Sequence, residues 1–322
     1  MAYLVRKLLH SLFLFFGVSL LIFALLAIAP GDFFTEMRLN PALSAGSVEQ
    51  LRVQRELDRP LLVRYVHWLG AVLRGNWGES LAYQVPVWPL LRVRALNTLL
   101  LTTAAMAVSW LIALALGIWA ATAPGRVLDR VMMFSTSAFL GIPDIMIGLL
   151  LLIWAVRSHA LPAGGMAGID HESLGALSRA KDTLRHLILP MTALVIAALP
   201  ALLRHVRASM IDALGSYAVR TARAAGVGSV RILLRHALPI ASNPLISLLG
   251  LSVAGLLSGS LLVEWIMGWP GLGPLLLEAI LARDVYVVIG AVMLSMLLLV
   301  LGNLLADMLL VLVDPRMREA RS

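Results

Sequence analysis

The chain has no cysteine, which excludes disulfides, iron–sulfur clusters and thiolate zinc sites and leaves the redox compartment unreadable. Lysine is nearly absent: Lys7 and Lys181 are the only two, so the net charge of +8 comes almost wholly from arginine. No Gly-x4-Gly-Lys-Ser/Thr run occurs, so this chain cannot cradle ATP by the P-loop mechanism. His171-Glu172 opens like a zinc-protease motif, but Gly175 stands where the second histidine belongs. Ser258 lies in an apolar run with no histidine on a neighbouring run, which argues against an intramembrane serine protease. No internal repeat stands out, and inverted repeats are usual in secondary transporters.

What the chain has in abundance is apolar surface. It is 60% hydrophobic and only 14% charged over 322 residues, with a mean hydropathy of +0.90, a balance that fits an integral membrane protein. The arginines are spread over loops, which reads as topology and phospholipid contact; a nucleic-acid surface would need a contiguous basic face.

Leu12 to Ala29 is an uncharged run long enough to cross a hydrocarbon core of roughly 30 Å. Arg6 and Lys7 precede it and no small-x-small cleavage pattern follows, so it is kept as a spanning helix with a cytoplasmic N-terminus. Residues 31–97 contain no spanning run and read as a solvated external region. Within it, Ser47 to Gln50 has capping-box spacing. After Pro60, Leu61, Leu62, Tyr65, Val66, Leu69, Val72 and Leu73 form one face of an amphipathic helix, with His67 and Trp68 as interfacial anchors.

Further spans are expected at Thr98–Ala123, at Val131–Val156 with an interruption at Gly141–Asp144, at Leu187–Leu203, at Leu245–Val263 and at Val285–Val313. Six spans place both termini inside. Residues 204–236 hold six arginines against Asp212 alone, whereas residues 264–284 hold Glu264, Glu278 and Asp284 against Arg283. The short loops therefore agree with a cytoplasmic arginine-rich segment. The domain reading is a first helix to residue 30, the external region 31–97, a core of spans two to six over 98–313 that includes the segment 204–244, and a tail from 314 to 322.

The segment from Ser216 to Pro244 carries the chemistry. Ser216 can cap a first helical piece, Gly226 supplies the left-handed residue that ends it, and Gly228-Ser229 offers a new turn and cap. The second piece starts near Val230 and reaches Pro239 and Pro244 before the next apolar run. Such a helix-loop-helix with a small-residue tip is shaped to dock into a partner.

This segment resembles the cytoplasmic signature of the permease subunits of ABC importers: Glu-Ala-Ala, three residues, Gly, nine residues, Ile-x-Leu-Pro. Counting from Gly226 places Arg220, Thr221 and Ala222 at the first three positions and His236, Leu238 and Pro239 at the last. Ala222, Gly226, Leu238 and Pro239 match, while the glutamate is replaced by Arg220. The form Arg-Thr-Ala-Arg-Ala-x-Gly followed by Leu-Leu-Arg-His-Ala-Leu is similar to the dipeptide, oligopeptide and nickel permease branch. Further blocks resemble the B-type subunit of that branch: Ala29–Asp32, Leu57–Tyr65, Asn97-Thr98, Leu161–Gly165, Val263–Gly273 and Asn303–Arg318.

The resemblance implies an all-α type I importer permease in a bacterial or archaeal inner membrane. It implies a second permease subunit, two ATPase subunits that bind ATP and magnesium, and an extracytoplasmic binding protein; the chain itself is expected to hold no cofactor or metal and to catalyse nothing. Tyr217, Arg220, Thr221, Ala222, Arg223, Gly226, His236, Leu238 and Pro239 are the implied ATPase-coupling residues. Candidates for the translocation path or its gate are Asp144, Glu264, Trp269, Pro270 and Gly271. Asp144 is chosen because intramembrane charge is costly. Glu264 is expected at the external interface, and Pro270-Gly271 suits the centre of a tight turn. Asp307 reads as structural. Peptides, opines and chelated nickel all remain open as substrates, and a self-contained secondary transporter or channel is the reading from another class.

Overall fold

The structure, a computed structural model, describes residues 2–28 and 59–313. The helix expected near Ser47, the block Ala29–Asp32 and the tail from Asp314 lie outside the described residues. The described chain consists of helices joined by turns, with one isolated antiparallel bridge between Glu79 and Pro86. In order they are α1 (Ala2–Ile28), α2 (Leu61–Leu73), α3 (Val87–Thr122), α4 (Val127–Leu140), α5 (Asp144–Ser158), α6 (Ala176–Leu214), α7 (Tyr217–Ala224), α8 (Ser229–Ile232), α9 (Leu238–Ile266), α10 (Leu272–Leu281) and α11 (Val285–Val313). Among the described residues, five helical runs are long and apolar enough to cross a membrane: α1, α3, α6, the run Ser229–Ile266 and α11. The bent pair α4 and α5 makes a sixth when counted as one span.

That pair departs from the single interrupted span expected over 131–156, because its halves meet at 98°. Pro143 has no N–H and pushes Ile142 away from helical backbone, so α4 cannot continue. Its carbonyl instead starts α5, accepting from Met146 N at 2.9 Å and Ile147 N at 3.3 Å. The stretch 157–186, between the third and fourth expected spans, is also partly helical: α6 begins at Ala176 and passes through Pro190 and Pro200 without ending. Arg179, Lys181 and Arg185 stay exposed on this extension while His186 turns inward, so the charge that hid the helix from a hydropathy reading lies on its outer face.

The chain divides into two compact units: residues 1–97 with 271–298, and 98–270 with 299–322. In the first, α1 and α2 share an aromatic cluster. Phe23 meets Tyr65 edge-on with centroids 5.7 Å apart and lies 6.1 Å from Trp68, and Ser19 Oγ is 2.8 Å from Tyr65 Oη. The inward stripe of α2 is Leu61, Tyr65, Trp68, Leu69 and Val72, narrower than the expected face. Leu62, Val66 and Leu73 are exposed, and Trp68 is a packing residue, not an interfacial anchor.

Asp284, fully buried, ties residues 80–82 to the start of α11 by accepting from Ser80 Oγ at 2.6 Å, Ala82 N at 3.0 Å and Val287 N at 3.4 Å. Nearby, Tyr83 donates its hydroxyl to Glu278. Partial burial and then this carboxylate push the Tyr83 phenol up to about 12.

In the second unit, α3, α6 and α9 surround two apolar clusters. One contains Leu101, Leu189, Leu194, Leu256 and Trp269, and the other Trp110, Val206, Met210, Ala237 and Leu245. Small residues set the helix approaches: a Cβ on Gly117 of α3 would lie 2.7 Å from Val206 Cγ1 of α6. Close backbone contact of this kind is how helices pack where lipid removes the hydrophobic drive between them.

Candidate functional site

The expected hairpin forms, and its first arm is closed at both ends by its own residues. Ser216 is extended, and its Oγ accepts from Val219 N at 3.4 Å. At the other end Gly226 takes φ +78°. There Gly226 N donates to Arg223 O and Val227 N to Ala222 O, both at 3.1 Å. These two bonds make a complete Schellman ending, which satisfies the last carbonyls of α7 and fixes the tip. Nothing lies within 4 Å of the position that a Cβ on Gly226 would occupy, so the glycine is required by backbone conformation alone.

The second arm differs from the expectation. Its cap position falls on Gly228, with no side-chain bond, and Pro239 does not end it. α8 passes through a wide turn, Leu233–Ala237, in which Leu238 N donates to Leu233 O five residues back, and continues directly as α9. Pro239 explains the widening, since it cannot donate to Arg235 O and its ring would crowd that carbonyl in a regular helix. The arm and the following span are therefore one continuous helical run.

Four small or branched residues hold the hairpin to the body. Val219, Ala222, Ile232 and Ala237 are buried with Val206, Met210 and Ala213 of α6. Among the proposed coupling residues, Ala222 is thus an anchor, and His236 and Leu238 are half-buried. Tyr217 (85% exposed), Arg220, Thr221, Arg223, Gly226 and Pro239 face outward. The Arg220 guanidinium lies 5.6 Å from the centre of the Tyr217 ring, and its Nε donates to Gly215 O at 3.1 Å. The outer face is cationic and aromatic, with exposed Val230 and Leu234 on the second arm.

Two arginines that the sequence reading counted only as topology link α6 to α4. Arg207 grips Asp129 with two bonds, Nε to Oδ1 at 2.5 Å and Nη2 to Oδ2 at 2.7 Å. Asp129, only 4% exposed, also accepts from Gly125 N at 2.7 Å. One turn earlier, Arg204 donates to Thr136 Oγ1 at 3.1 Å and to Ser137 Oγ. The only signal in the sequence was opposite charge at the ends of two apolar runs.

At the far end of α9, Glu264 is fully buried instead of lying at an open interface; a carboxylate that closes an apolar run gave no sign of that. Its carbonyl accepts from Trp269 N at 2.8 Å, and Trp269 is itself fully buried. The chain reverses at Gly268, with φ +60°. Gly271, at φ −100°, is the extended cap of α10 and not the centre of a tight turn, and half-buried Pro270 leads into it. The two glycine-containing blocks Leu161–Gly165 and Val263–Gly273 meet here, where Gly165 N donates to Met267 O at 3.0 Å. Asp144, by contrast, is exposed at the head of α5, where it lines a cavity walled by α6 and α9.

Comparison with known proteins agrees with this architecture. The family described as binding-protein-dependent transport system inner membrane component matches residues 113–319. The oligopeptide transport system permease protein AppB of Bacillus subtilis is 35% identical over 317 residues, covering 98% of each chain. The dipeptide transport system permease protein DppB of Escherichia coli K12 is 32% identical over 324 residues, covering 95% of this chain and 96% of its own. Among solved structures, the MetNI methionine ABC transporter in inward-facing conformations superposes with a TM-score of 0.53 at 17% identity, over 70% of this chain and 96% of that one. At that identity the likeness concerns the fold. The apolar helices, the hairpin between α6 and α9 and the match over most of its length agree: the chain belongs to the family of binding-protein-dependent transport system inner membrane components.

Proposed function

We propose that the chain is a transmembrane subunit of an ATP-driven importer that carries peptides or related small solutes delivered by an extracytoplasmic binding protein. Support for the solute class comes from AppB and DppB, which are named for oligopeptide and dipeptide transport. In this reading a second permease subunit completes the pathway, and two ATPase subunits hold ATP and magnesium. The arginine-rich hairpin and both termini face the cytoplasm, as the charge of the short loops favours. A self-contained secondary transporter finds no support in the family match.

The observation that carries the mechanism is the continuity of the hairpin's second arm with α9. An ATPase that grips Tyr217, Arg220, Arg223 and the Gly226 tip moves a rigid element, because the Schellman ending leaves no slack there. That motion passes along α9 and, through Arg204 and Arg207, to α4, turning the cavity between outward and inward access. This is a two-state transition biased by a docked segment.

Affinity purification of the tagged chain in mild detergent tests the assembly. Recovery of a second permease with ATPases and vanadate-sensitive hydrolysis is expected; a stable homo-oligomer without ATPase would refute it. For the hairpin, Gly226→Pro is expected to lower peptide uptake by on the order of tenfold or more while leaving membrane insertion intact, since proline fixes φ near −65° where the tip needs a positive value. Full uptake at normal expression by this variant would remove the docking role from the tip.

A further inference from the structure

The break between α4 and α5 leaves one carboxylate in a setting that the coupling scheme does not use. Asp144 lines a cavity of about 290 Å³ whose walls are Leu194–Leu202 of α6 and Leu248–Gly259 of α9. Both stretches fall near the middle of long apolar helices, so the carboxylate sits well away from either end of the bundle. A charge at such depth is costly and marks a pathway or a partner. Asp144 forms no hydrogen bond or ion pair with the described residues. The two arginines that follow the cavity stretch on α6 are engaged elsewhere, Arg204 with α4 hydroxyls and Arg207 with Asp129.

The cavity's polar groups are all acceptors. Ser252 Oγ donates its proton to Leu248 O at 2.8 Å, so toward the cavity it offers lone pairs, as the carboxylate does. The remaining wall is leucine, alanine and glycine. Gly259 matters most among these: a Cβ there would sit 3.4 Å from Asp144 Oδ2, so its absence keeps that oxygen open to an incoming group. With no donor to hold a carboxylate and no aromatic face to hold a quaternary amine, the complement is a primary ammonium, which carries three donors and a positive charge. The volume lies at the lower edge of small-ligand sites, roughly 300–1,000 Å³. It suits one terminal residue with a small apolar side chain, not a whole peptide.

We propose that this cavity receives the protonated amino terminus of the transported solute, with Asp144 as its counter-charge. The assignment rests on the peptide reading above and narrows it to solutes with a free amine; N-blocked or anionic-headed solutes are disfavoured by the carboxylate.

Two measurements on the purified transporter complex in nanodiscs test it. In the first, a hydrophobic carbodiimide labels carboxylates in the presence of alanine amide or its uncharged analogue N-acetylalanine amide, and mass spectrometry reads the labelling of Asp144. Alanine amide is expected to lower that labelling severalfold and the acetyl analogue to leave it unchanged. In the second, uptake of trialanine into proteoliposomes containing the complex and its binding protein is compared for wild type, Asp144→Asn and Asp144→Glu. Asparagine is expected to lower uptake about tenfold, as loss of a charge-assisted bond predicts, with glutamate restoring most of it.

Equal labelling with both probes, no labelling of Asp144 at all, or wild-type uptake by the asparagine variant would each overturn the assignment. Reduced uptake without selective protection would also overturn it, because the carboxylate would then serve assembly. Absence of trialanine uptake by wild type sinks the peptide reading itself, whereas the labelling contrast stands or falls separately.

Discussion

Arg207→Ala is expected to take away a large part of the chain's folding stability, and not only to slow transport. Without the guanidinium, Asp129 would remain buried against α6 with only Gly125 N to satisfy it. Breaking a buried pair by deleting one partner costs about 3–5 kcal/mol, mostly the penalty of the stranded charge, against a total stability of roughly 5–15 kcal/mol. Arg207→Lys should rescue little, since a lysine cannot make both bonds to Asp129 at once. The double variant Asp129→Ala/Arg207→Ala should be milder than Arg207→Ala alone, because no charge is left unpaired. Thermal unfolding in detergent, followed by size-exclusion chromatography, reads all of these. Should the double variant lose as much as the two single losses added together, the pair would not be the source of the effect.

Gly117→Val is also expected to be strongly damaging. A Cβ at Gly117 would lie 2.7 and 2.9 Å from Val206 Cγ1 and Cβ, and 3.3 Å from the Arg207 backbone nitrogen. The two helices must therefore part by a few tenths of an ångström or more, at a cost of about 1–3 kcal/mol for overpacking. Because Val206 sits beside Arg207 on α6, the separation would also loosen the grip on Asp129, and the loss should exceed that of an isolated clash. Val206→Ala in the same chain is expected to recover a substantial part of both stability and peptide uptake. If the compensating change recovers neither, the contact between α3 and α6 is not what limits the fold at this point.

Where local chemistry decides structure, the sequence could be read directly. Ser216 and Gly226 each act within five residues of themselves, so the first arm of the hairpin was legible down to its cap and its left-handed residue. The run Val285–Val313, whose one charged residue is Asp307, is bounded as expected, because hydropathy alone sets those ends. Pro239 misled, since proline usually stops a helix, whereas here a widened turn absorbs its missing donor. The right-angled break at Pro143 could be located but its angle could not, for that angle depends on what α4 and α5 pack against. The grip of Arg207 on Asp129 joins residues 78 positions apart, a distance at which charge sign says nothing about pairing. Glu264 and Trp269 look like interface residues by type, and only the packed turn after α9 shows that both are enclosed. In the candidate site, the residues that face outward and the anchor Ala222 were legible from the motif, while the anchors Val219, Ile232 and Ala237 were not.

The uninterrupted run from Ser229 to Ile266 has a mechanical consequence. Its 38 residues span about 57 Å at 1.5 Å per residue, with the exposed arm at one end and the enclosed Glu264–Trp269 turn at the other. A rod of that length pivoting about its middle is a lever of equal arms: a tilt of about 5° displaces each end by roughly 2.5 Å. That displacement is comparable to a hydrogen-bond length, so it is enough to part Gly165 N from Met267 O, now 3.0 Å apart. A stroke too small to disturb the packing around the pivot would thus open a latch at the opposite tip.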